Sequence, residues 1–153
     1  MASSEIESFR GRVVRELDRI VKALDGLDEE AVNWKPPSPS ANTLLVLATH
    51  ALGAAEDHVV RQVAGKPITR SRDAEFAVNG SAAGVRARAE EVKRRIDEAL
   101  GGFDPARLGD ERDTPSGKRT PRDLLVHAVA HASEHAGQAE LTRDLYIARR
   151  GHT

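Results

Sequence analysis

Five of the six histidines in this 153-residue chain fall into two groups, His50 with His58 and His127 with His131 and His135, while His152 stands alone near the end. Four-residue spacing puts His127, His131 and His135 on successive turns of one helix, where neighbouring imidazoles can converge on a single cation. With His131 as the origin, Leu124 lies at about +20°, Gln138 at about −20°, His135 at about +40°, and His127 and Leu145 at about −40°. The histidines therefore share the apolar stripe, and Arg122, Ser133, Glu140 and Asp144 take the opposite side. Imidazoles on a core-facing stripe bring polar nitrogens that must be satisfied, and one shared ion satisfies them together. His50, flanked by Val46, Leu47, Gly53 and Ala54, is the best third ligand. His50, His131 and His135 thus form the expected metal set, three neutral donors with open positions.

The other polar residues near these positions have plainer readings. His58 is about 80° round the helix from His50 and is expected near the rim or in solvent. His127 is expected as a buried partner of a backbone carbonyl or as a group behind the ligands, as readily as a ligand. Gln138 follows His135 by one turn and can bond a ligand, a metal-bound water or a buried carbonyl. Asp57 shares the His50 face, but its distance favours a surface salt bridge over orienting the ring. His131, Glu134 and His135 match the H-x-x-E-H spacing of some zinc hydrolases, which makes Glu134 a candidate general base, but no downstream glutamate on another helix completes that site. No Glu in the chain has His three residues later, so a di-iron carboxylate bundle is excluded.

Four helices must position these groups. Ser3 or Ser4 opens the first, carried by Ile6, Phe9, Val13, Leu17, Ile20 and Leu24 and stopped near Gly26. Asp28 to Ser40, with Trp34 and three prolines, reads as an ordered non-helical connection in which Trp34 staples the segment to the bundle. The second helix runs from near Ser40 or Asn42 to about Ala64, before Gly65. Ile68 to Gly80 reads as a long connection or partial turn, and the third helix spans about Ser81 to Leu100, closed by Gly101 and Gly102. Its group of Arg86, Arg88, Lys93, Arg94 and Arg95 alternates with acids, as on an exposed face with local ion pairs. Phe103 to Thr120 is rich in breakers and has no alternating run long enough for a strand. Thr120 and Pro121 then start a fourth helix that runs to about Arg149. The expected fold is all-α, one four-helix-bundle domain over residues 1–153 with long crossover connections.

Composition narrows the function. Twenty-three Lys and Arg against 24 Asp and Glu leave a net charge of −1, which gives no bulk field for nucleic acid. Without cysteine there is no thiolate ligand, disulfide or cysteine nucleophile. No apolar run suits a spanning helix or a signal segment, so no membrane association is expected and the expected location is the cytoplasm.

At this point the chain resembles the DinB-like superfamily, which includes YfiT-like proteins. The residues that carry the resemblance are Leu27 to Pro36 with Trp34, then Asn42, Thr43, Leu44, Leu47, His50 and Glu56, and then His127, His131, His135, Gly137 and Gln138. The resemblance implies a four-helix bundle holding one divalent metal through His50, His131 and His135, the set the helical spacing also selects. It further implies a homodimer and activity toward a low-molecular-weight thiol such as bacillithiol or mycothiol. This chain departs from the family in carrying His58, Val59 and Val60 where an aromatic is often found.

Two functions remain open on the sequence. One is a metal-dependent enzyme, a thiol S-transferase or hydrolase, with an ion (Zn, Ni, Mn or Fe) at the three histidines and with Glu134 and Gln138 as catalytic helpers. The other is a non-catalytic protein in which the metal fastens two helices, or a stress-associated binding protein. A protein side chain closing the fourth position would favour the second, and an open site facing a cleft the first.

Overall fold

A computed structural model describes residues 3–151. His152, read as an idle tail residue, lies outside the described residues. The first helix, α1 (Ser4–Lys22), is capped by the Ser3 side chain, which accepts from Ile6 N at 3.3 Å. It turns every third or fourth residue inward, burying Ile6, Val13, Leu17 and Ile20. The connection that follows is not wholly irregular. Asp28 accepts from Ala31 N at 2.9 Å and caps a short helix, α2 (Glu29–Asn33), before the prolines.

Helix α3 (Leu44–Glu56) is capped by Thr43 and continues without a break into a π-helical segment, Asp57–Val63. Nearly every α3 residue is buried, because the helix packs against α1, α2, the short α4 (Arg72–Ala77), α5 (Val85–Gly101) and α6 (Pro121–Arg150). Gly65, at φ 69°, ends the π segment in a conformation that side-chain-bearing residues rarely adopt.

α5 and α6 are each flanked by α1 and α3, so the chain must cross the bundle between α1 and α3 and again between α5 and α6. The second crossing carries a 3₁₀ turn (Pro105–Gly109) and a two-stranded antiparallel hairpin, β1 (Arg112–Thr114) and β2 (Gly117–Arg119), in which Arg112 faces Arg119. The fold is all-α apart from this hairpin. Thr120 and Asp123 form a reciprocal capping box at the start of α6, with Pro121 in the first turn. Leu17, Ile20, Leu45, Leu52, Ile96, Leu100 and Leu125 fill the centre, each such side chain contributing ~1.5–3 kcal/mol of burial. Among the described residues no helix is long and apolar enough to cross a membrane.

Several expectations are corrected here. Ile68 to Gly80 contains α4, whose first turn Ser71 caps through Ala74 N. The third helix begins at Val85 rather than Ser81. The breaker-rich segment does hold strands, of three residues each, too short for a period of two to show. Arg88 and Arg95 do not make local pairs: both reach across to Glu56, which is 1% exposed on α3. Two guanidiniums then offset the desolvation of one carboxylate. Arg94 does pair locally with Glu91 and Glu98, and Lys93 with Glu90 and also with Asp18. Trp34 packs on α6 as expected, its ring 5.7 Å from that of Tyr146.

Candidate metal centre

His50 from α3 and His131 and His135 from α6 meet between the two helices. One nitrogen from each ring lies within 4.8 Å of the others. The ring centroids of His50 are 5.2 Å from His131 and 5.0 Å from His135, and Nε2 of His131 is 3.3 Å from Nε2 of His135. The three residues selected by spacing are the three the fold brings together.

The orientation of each ring has a local cause. His50, 6% exposed, donates through Nδ1 to Glu75 Oε2 at 3.0 Å. Glu75, also 6% exposed, sits on α4 and is held by the fork of Arg70, with Nε at 2.7 Å from Oε1 and an NH2 group at 2.9 Å from Oε2. Gly53 makes room for this carboxylate: a Cβ there would overlap Oε1 and come within 2.9 Å of Cδ. On α6, His135 donates through Nδ1 to Gln138 Oε1 at 2.7 Å. Both histidines therefore keep a lone pair on Nε2, the tautomer a metal requires.

Burial keeps two of the three rings neutral. Burial pushes His131 down to about 3, helped by His135, His58, His50 and His127. Burial also holds His50 below the ordinary imidazole value, against the pull of Glu75. Imidazole nitrogens brought this close fit a shared cation, which can take the place of the contact between Nε2 of His131 and Nε2 of His135 at 3.3 Å.

The α6 stripe is placed differently from its expected position. Its buried residues are Leu124, Leu125, Ala128, Ala132, Ala136, Ala139, Thr142 and Tyr146, and the histidines run along the flank of that stripe. His131 and His135 are half-buried and His127 is exposed, so His127 is not the buried partner expected for it. Small alanines let α6 approach its neighbours closely, and the larger imidazoles then fall at the edge of the contact. Leu145, grouped with them by angle, is 45% exposed.

His58 sits at the rim, half-buried, and not in solvent. Its ring packs 4.6 Å from His127 and 5.4 Å from His131, and burial, with His127, pushes it down to about 4. It lies on the π-helical segment after α3, which packs against α5 and α6. Asp57 is not a surface residue either. Burial alone would raise its carboxyl, but bonds from Arg61 and Gln62 hold it below the usual range, and Arg70 adds a contact at 3.6 Å. It bonds no histidine ring.

Glu75 and Arg70 were missed by sequence reasoning. They lie in the connection that read as irregular, and the one signal pointing to them was Gly53 beside His50, whose missing side chain leaves room for a neighbour. Phe76, from the same short helix, packs 4.7 Å from the His50 ring. Glu134 is exposed, one turn before Gln138, whose Nε2 donates to Glu134 Oε1 at 3.4 Å. Beyond Gln138 a cleft of about 230 Å³ opens, bordered by Pro36, Asn42, Leu47, Leu141 and Leu145.

No curated protein matches the sequence. A crystal structure of a conserved protein from Enterococcus faecalis is similar, with a TM-score of 0.75 and 16% identity over 97% of this chain and 99% of that one. At that identity the likeness is one of fold. The sequence matches the DinB superfamily over residues 12–139, a span that holds all three converging histidines, and the chain therefore belongs to the DinB superfamily.

Proposed function

We propose that His50, His131 and His135 hold one divalent metal ion and that the protein is a metal-dependent enzyme of the thiol S-transferase or hydrolase type. The observation that carries this reading is the convergence of three imidazoles, with His50 and His135 turned by Glu75 and Gln138 so that Nδ1 is engaged and Nε2 is left for a ligand bond. When bound, such an ion supplies a positive centre that acidifies water or a thiol near neutral pH.

The chain's own residues do the rest. Arg70 neutralises Glu75, so the donor set adds no net negative charge and favours an anionic fourth partner such as a thiolate or hydroxide. Gln138, which borders the cleft, holds His135. Glu134, exposed beside it, is the candidate to take a proton released there. The mixed apolar and polar walls suit a small thiol or its conjugate. Leu141 and Leu145, 59% and 45% exposed on the same side of α6, support a homodimer that covers them.

Elemental analysis of the purified protein beside His131→Ala tests the ligand set: stoichiometric metal retained in the variant refutes it. Thiol-conjugation and ester-hydrolysis assays with Zn, Ni, Mn and Fe test the catalytic reading. The site also bridges α3 and α6, which supports the alternative of a structural metal. Chelation that lowers the melting temperature while no substrate turns over would favour that alternative.

A further inference from the structure

His58 and His127 take no part in the triad, yet their rings are spaced and inclined much as those of its α6 pair. Their ring centroids are 4.6 Å apart with an interplanar angle of 74°, against 4.5 Å and 80° for His131 and His135. Edge-to-face packing accounts for the rings but not for their nitrogens. His58 Nδ1 is buried and has no hydrogen-bond partner, a condition that folded interiors avoid. The neighbouring carboxylate does not supply one, because Asp57 is committed to Arg61, Gln62 and Arg70. His131 is farther off, 5.4 Å from His58 and 5.9 Å from His127, and its Nε2 faces His135. His127 is exposed, so the pair opens to water on one side and meets the triad on the other.

We propose that His58 and His127 form a second cation site on the solvent side of the triad, taking a borderline divalent ion such as Zn²⁺ with water completing its shell. Imidazole nitrogens as ligands select ions of the Zn, Ni and Cu class over Mg or Ca. Two protein ligands instead of three make it the weaker of the two sites.

Zn²⁺ titration of the full chain against a chromophoric chelator tests it. The wild type should take up two ions of different affinity. His127→Gln and His58→Gln should each take up one, the tight one, and His135→Ala should keep the weak one. His127→Gln changes an exposed side chain, so it reports even where His58→Gln fails to fold. A single ion in the saturated wild type, or two in His127→Gln, overturns the proposal. Should His135→Ala keep the tight ion instead, the triad reading fails and this pair still stands or falls on His127→Gln.

Discussion

The two walls of the histidine site are built by different means. On the α3 side, His50 is buried and tied to Glu75, itself clamped by Arg70 and admitted by the missing side chain of Gly53. On the α6 side, His131 and His135 are half-exposed and the bond that turns His135 comes from an exposed glutamine. A charge-assisted bond in a dry site fixes its ring far more firmly than a neutral bond in contact with water. The α3 wall is thus the firmer of the two, and under the proposed metal reading His50 is the anchored ligand while His131 and His135 are the ones left to adjust to a cation.

Breaking the comparison outright requires removing a ligand. His131→Ala should abolish stoichiometric metal, read by elemental analysis. The next largest effect falls on the anchored wall. Gly53→Ala should displace the Glu75 carboxylate and lower metal affinity about 10–100-fold, as should Glu75→Ala, in a competition titration. Native affinity in both variants would show that the α3 wall is not the anchor. Gln138→Ala should cost less, below about 10-fold, because solvent can replace an exposed amide. An equal or larger loss there would reverse the ranking of the walls.

Acidification should act on His58 and His131 in the metal-free protein. His58 and His131 have folded values of about 4 and about 3, below the ordinary 6.5. Between pH 6.5 and those values the unfolded chain binds protons that the folded chain excludes. Stability is full above about pH 6.5 and is lost progressively as pH falls toward 4 to 3. The melting temperature of the metal-free protein should drop by more than about 5 °C from pH 7.5 to pH 5. His58→Gln should flatten the profile, and an unchanged slope would place that ring outside the buried set. Smallest of all, Arg19→Ala, which breaks a surface pair with Glu140, should cost under about 1 kcal/mol in a denaturant melt.

The legible parts of the molecule were those whose signal is local. Caps at Ser3 and Thr120, the stop near Gly26 and the i, i+4 histidines are written within a few residues of where they act. Even the pairing of His50 with the α6 pair could be anticipated, since a bundle must set one long helix against another. α4 was not legible because a six-residue helix is too short to show a 3.6 period, and its caps look like any polar turn. The burial of Asp57 was hidden for another reason: it lies on the π-helical segment that follows α3, packed against α5 and α6, where the angular spacing of an ideal α-helix no longer applies.

Residue types and spacing by themselves determined an all-helical chain, a neutral donor set and the three histidines able to share an ion. Only the tertiary structure decided that the α6 histidines flank the core, that Glu75 and Arg70 hold His50, and that Glu56 is met by Arg88 and Arg95 from α5. Spacing along a helix follows from backbone geometry and is fixed by the residues nearby. Which polar group faces which across the bundle depends on how helices far apart in sequence dock, through the summed burial of many side chains that no single segment specifies.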